Sequence, residues 1–117
     1  MTDNETKTTL RLDEGGRWLI RSTSLTVCHL DLDTQRLLRD RGPGSPAFPY
    51  DGQWVPLVEV RSQRGDVGVI RVGDRHEFLT DPAGGAHDLR YWIPRVCVAI
   101  ESVTTSDLPP EQGTSTC

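Results

Sequence analysis

Polar and apolar residues alternate along most of this chain, and no segment shows helical spacing. Residues 25–32 (Leu-Thr-Val-Cys-His-Leu-Asp-Leu), 67–72 and 96–101 all follow a period of two. That period belongs to strands with one buried face, because successive side chains leave opposite sides of an extended backbone. The pattern predicts an all-β domain, a single small β-barrel or β-sandwich of about seven to nine short, mainly antiparallel strands. A barrel is favoured, since closure removes the edges that a nearly neutral, Val-rich sheet would otherwise expose.

Turn residues punctuate the alternation about every ten positions. Strands are expected at 8–12, 17–22, 25–32, 35–40, 55–61, 67–72 and 76–80. Residues 88–93 and 95–103 follow, either as two strands or as one strand kinked at Pro94. Pro56 predicts an edge position or an irregular start for its strand, because proline cannot donate to a ladder. Residues 41–54 hold Gly42-Pro43-Gly44, Pro46 and Pro49, which exclude a regular helix or central strand there. The folded domain is expected to cover residues 8–103. Residues 1–7 and 104–117 are polar and are expected to be disordered tails; the second contains Pro109-Pro110.

The chain has 117 residues, enough for one domain, and a net charge of −4. Much of that charge lies in the tails: Asp3, Glu5 and Lys7 at one end, Asp107 and Glu111 at the other. The remaining body is nearly neutral and offers no electrostatic footprint for nucleic acid. All basic residues but Lys7 are arginine, a bias that a GC-rich genome accounts for. No stretch approaches the ~20 apolar residues of a membrane span, and no basic start with an apolar run marks a secretory signal. A cytoplasmic location is expected. Cys28 and Cys97 sit inside strand patterns, where small buried thiols are common, and Cys117 lies in the tail.

The run Gly16-Arg17-Trp18-Leu19-Ile20-Arg21-Ser22, followed by Ser24 to Asp33 and by Leu38-Arg39, resembles the opening of a group of small uncharacterised β-rich proteins of actinobacteria and their phages. Those open with a tryptophan strand, a serine turn and a Leu-Asp-Leu-Asp strand. The resemblance implies a compact β fold and a mobile-element origin. It carries no activity, cofactor or catalytic residue with it.

Three constellations invite chemical readings. His29, Asp31 and Asp33 share one face of a strand, with neighbours on that face about 7 Å apart, which suits a metal or an acid–base pair. The same spacing describes a solvated strand face ending in an Asp turn, and that is the expectation. His76 and His87 flank the 81–86 loop, with Asp74, Glu77, Asp81 and Asp88 nearby, but without any recognised metal-ligand spacing. Cys97 could pair with a histidine as a nucleophile, yet its Val-rich strand disfavours the thiolate. No catalytic residue, metal or cofactor is expected, and the chain is read as a non-enzyme.

The strongest functional signal is aromatic. Phe48, Tyr50 and Trp54 cluster in the long loop, and Trp92 follows Arg90 at strand spacing. If Leu89, Tyr91 and Ile93 face the core, then Arg90 and Trp92 face outward. An exposed tryptophan beside an arginine anchors protein partners. The competing reading is a loop that folds over an open end and buries its own rings. The expectation is a non-catalytic module that binds a protein or its own copy through Phe48, Tyr50, Trp54, Arg90 and Trp92. The alternatives are an accessory factor of a phage or mobile element that inhibits a host protein and, less favoured, a small metal-dependent enzyme using His29, Asp31, His76 or His87.

Overall fold

A computed structural model describes residues 6–85 and 89–103. Ten strands follow the alternating segments: β1 (Thr6–Lys7), β2 (Thr9–Arg11), β3 (Arg17–Ser22), β4 (Val27–Asp31), β5 (Arg36–Asp40), β6 (Trp54–Ser62), β7 (Val69–Arg71), β8 (His76–Thr80), β9 (Arg90–Trp92) and β10 (Cys97–Ser102). A single 3₁₀ turn, Leu12–Glu14, follows β2, and there is no α-helix among the described residues. No helix there is long and apolar enough to cross a membrane.

Eight strands form one antiparallel sheet in the order β1-β10-β3-β4-β5-β6-β8-β9, and β2 pairs with β7 in a second, two-stranded sheet. The ladders do not close into a barrel. The small sheet is tied to the large one by a bridge between Arg61 and Val67 and by Gly68 N–H donating to the Val60 carbonyl at 2.8 Å. On its other side, the Gly73 and Cys97 amides donate to the Cys97 and Asp74 carbonyls at 2.8 and 2.9 Å.

One difference from the sequence expectation has a plain cause, and one open alternative is decided. Thr6 and Lys7, placed in the tail by their polarity, pair with Glu101 and Ile100 of β10. Main-chain hydrogen bonds hold such a strand without any apolar side chain. Residues 89–103 hold two strands that part company at Pro94: β9 is the edge strand beside β8, and β10 lies between β1 and β3. Residues 1–5 and 104–117 lie outside the described residues, as do 86–88.

The core follows from cross-strand register. Trp18, Leu30, Leu37 and Val55 are successive partners across β3, β4, β5 and β6, and all four are buried in one cluster with Ile20, Cys28, Leu57, Val60, Phe78 and Ile100. Period two then sends Leu19, His29, Leu38 and Trp54 to the opposite face, again as a continuous row. Pro56 is neither at an edge nor unpaired, since β6 runs between β5 and β8. The Pro56 carbonyl accepts from Asp81 N–H at 3.0 Å, one residue past the end of β8, so the missing donor falls at the last rung. A register shift between Leu57 and Glu59 lets both halves of β6 feed the core.

Candidate functional site

The 41–53 loop is built on Arg39. On β5 this residue has the same parity as Leu37, so its side chain enters the core-side face and is buried. Its Nη1 donates to both Asp51 carboxylate oxygens, at 2.8 and 2.6 Å, and Nη2 donates to the Pro46 carbonyl at 3.1 Å. The guanidinium lies 4.1 Å from the Phe48 ring centre and 5.4 Å from that of Trp92. A desolvated guanidinium between two rings gains from both their quadrupoles and the ion pair. Asp51 Oδ2 also accepts the Phe48 amide at 2.9 Å, so one carboxylate fixes both the arginine and the loop backbone.

The root of the loop is equally constrained. Gly42 N–H donates to Thr26 Oγ1 at 3.0 Å, and a Cβ at this glycine would stand 2.4 Å from the Leu25 carbonyl carbon, so only glycine fits. Thr26 Oγ1 in turn donates to Ser45 Oγ at 2.6 Å. At the tip, Tyr50 holds φ 72°, the left-handed region that L-residues avoid. Its carbonyl accepts Gln53 N–H at 3.1 Å. The loop thus keeps an aromatic residue in an unfavourable backbone conformation while leaving it 39% exposed.

Phe48, Tyr50, Arg90 and Trp92 line one open depression of about 240 Å³, with Tyr91, Pro49 and Pro82. Four of the five aromatic and arginine residues singled out in the sequence therefore converge. Trp54 does not: it pairs with Leu38 on the opposite face of the sheet. The facing of β9 is also the reverse of the expectation. Trp92 opposes Phe78, which has no exposure, and the two rings stack at 5.4 Å. Tyr91 and Ile93, expected inside, are 65% and 53% exposed. The parity of a three-residue strand is set by its partner, and β8 presents His76, Phe78 and Thr80 inward. Arg39 and Tyr91 were not singled out in the sequence. The available signal for Arg39 was a charged residue at core parity just before a Pro- and aromatic-rich loop; for Tyr91 there was none.

The other constellations are consumed structurally. Asp31 and His29 are buried rather than solvated. Asp31 Oδ1 accepts the Asp33 and Thr34 amides at 3.1 and 3.3 Å, closing the β4–β5 turn. Asp33 accepts Gly16 N–H at 3.0 Å and faces Arg17. His29 Nε2 stands 3.5 Å from Asp40 Oδ2, too far for a good hydrogen bond. Burial holds its pKa below the usual histidine value, against a smaller opposing effect of Asp40.

His29 lies on the outer face of β4, whereas His76 faces inward from β8, so the two do not converge. His87 lies outside the described residues. His76 Nε2 accepts the Arg71 amide at 3.0 Å, which occupies the nitrogen a base would use. Burial pushes the Cys97 thiol up to about 11 and raises Cys28 as well, so both are protonated at neutral pH. Asp74, almost fully buried, takes Arg64 Nε at 2.8 Å. Among the described residues no three His, Cys, Asp or Glu side chains are placed to hold a metal. Comparison with family models, with curated proteins and with solved structures finds no match to this chain.

Proposed function

We propose that this chain is a non-catalytic protein-binding β module whose contact site is the depression formed by Phe48, Tyr50, Arg90 and Trp92. The observation that carries the reading is the left-handed Tyr50, held with its ring half-open beside Phe48 and Trp92. Strain of this kind persists only where surrounding bonds enforce it, and it is found preferentially at binding and catalytic sites. Here the Arg39–Asp51 clamp and the Gly42 root do the enforcing. A loop ordered in advance loses little entropy on association, so its rings can add affinity rather than spend it. The rings themselves suit a protein surface, with an aromatic centre and an arginine beside it.

In this reading the curled sheet acts as an open barrel, with the loop over its gap. The cytoplasm suits two buried free thiols, Cys28 and Cys97. Among the described residues both thiols are held protonated and His76 Nε2 is occupied by the Arg71 amide, which supports binding over chemistry.

The test compares Trp92→Ala with Trp54→Ala. Sedimentation over a concentration series and capture of partners are measured beside thermal melts. Association is expected to weaken for Trp92→Ala and to persist for Trp54→Ala, which lies on the other face. A Trp92→Ala chain that melts lower but associates as before would assign the ring to the core alone.

A further inference from the structure

Past Trp92 the depression continues into a second one of about 270 Å³, and the two share Arg39, Phe48, Tyr91 and Trp92. Together they make one groove with chemically different ends. At one end stand Tyr50, Pro49 and Pro82 beside Trp92. The other end carries Arg75 and Arg95 with Ser24 and Thr26. Arg75 Nε donates to the Pro94 carbonyl at 3.0 Å, and neither arginine has a carboxylate partner among the described residues.

An elongated groove of this kind suits an extended peptide better than a compact small molecule. Rings and prolines set along a groove grip a polyproline helix, which has no internal hydrogen bonds and is already extended before it docks. Guanidinium groups at the far end that have no carboxylate among the described residues call for one. The chemistry therefore selects a proline pair flanked by acidic side chains.

This chain contains such a segment, Asp107-Leu108-Pro109-Pro110-Glu111, and residues 104–117 include two acidic side chains and no basic one. Its route is constrained by Val103, whose N–H donates to the Arg17 carbonyl at 3.0 Å. Arg17 is level with Asp31 and Arg36, at the opposite end of the sheet from the groove. Arg39 is then roughly 18 Å away along the sheet, before any detour around the core to Tyr50. Fully extended chain from Val103 to Pro109 covers at most roughly 21 Å. A segment from the same molecule has almost no slack, and one from a second molecule has no such limit.

We infer that residues 107–111 of a second copy of this chain occupy the groove, prolines against Tyr50 and Trp92 and an acidic side chain against Arg75 and Arg95. The inference rests on the protein-binding reading of the same site. Reciprocal exchange of the segment gives a closed two-fold dimer.

Sedimentation equilibrium of the full chain, in reducing buffer so that Cys117 cannot cross-link, tests it. Three chains are compared: wild type, a Pro109→Ala/Pro110→Ala double variant, and Tyr50→Gly. Glycine accepts the left-handed backbone, so Tyr50→Gly removes the ring without straining the loop. Wild type is expected to move from monomer toward dimer with concentration, and both variants to associate at least roughly fivefold more weakly. Association lost in Tyr50→Gly but retained in the proline variant would overturn this inference and leave the binding site standing. Association indifferent to both would overturn this inference and the site together. A wild-type chain that stays monomeric, while added peptide 104–113 binds only the proline variant, would place the segment in its own groove and overturn the second-copy arrangement. A monomer that binds no such peptide in any form would also defeat it.

Discussion

The two ends of the β4–β5 pair hold charged groups in opposite ways. At the turn, Asp31 and Asp33 give their oxygens to the Asp33, Thr34 and Gly16 amides and face Arg17. The turn is closed by these bonds. At the other end, Arg39 is clamped by Asp51 and the Pro46 carbonyl, but the rings that flank it stay partly open to solvent. Charge consumed by backbone amides seals a structure. Charge used to hold aromatic surface in place presents that surface. The difference explains why a strand carrying His-x-Asp-x-Asp presents little polar surface, while an arginine followed by a proline-rich loop presents aromatic surface.

Breaking the clamp should have the largest effect. Arg39→Ala strands Asp51 without its partner and releases Phe48 and Pro46, so stability is expected to fall by about 3 kcal/mol. Urea titration measures this, and a double-mutant cycle with Asp51→Ala should show strong coupling. A loss no larger than an exposed pair gives would mean that the loop is held by packing alone.

At the sealed end, Asp31→Ala removes an acceptor shared by two turn amides and is expected to cost about 1–2 kcal/mol. Asp31→Asn keeps an oxygen in place and should cost less. Association should be unchanged in both, because this end presents no aromatic surface. Weakened self-association in Asp31→Ala at temperatures where the chain is folded would blur the contrast between the ends.

Lowering the pH probes the same sheet more gently. Burial depresses the pKa of His29 and His76 from 6.5, so the unfolded chain binds their protons first. Their contribution is therefore present above pH 6.5 and is lost as pH falls through the depressed folded values. Chemical denaturation at pH 7.5 and at about pH 5 should show this loss. His29→Leu, which replaces the imidazole beside Leu19 and Leu38 with an apolar side chain, should flatten the profile. An unchanged slope would assign the effect to His76.

Much of the fold was legible because alternation and turn residues are local. β3 and β8 coincide with the expected segments, and Cys28, Leu30 and Leu32 fall on the core face as their spacing requires. What was not legible depended on partners distant in sequence. Thr6–Lys7 is a strand only because β10 offers it a free edge. Trp92 turns inward because Phe78 sits opposite it, and the facing of Tyr91 follows. The same holds for the site: composition pointed to Phe48 and Tyr50, but it could not separate them from Trp54, which the register of β5 sends to the other face.

The irregularity in β6 has a consequence for how this chain can vary. Val55 and Leu57 face the core before the register shift, and Val60 and Ser62 face it after, while Val58 is left outside. The strand is therefore out of step with itself by one position. Deleting a single residue at the shift would restore simple alternation and remove the bulge, whereas a one-residue change elsewhere in the strand would turn one half inside out. Changes of length in this protein are tolerable only where no ladder keeps count.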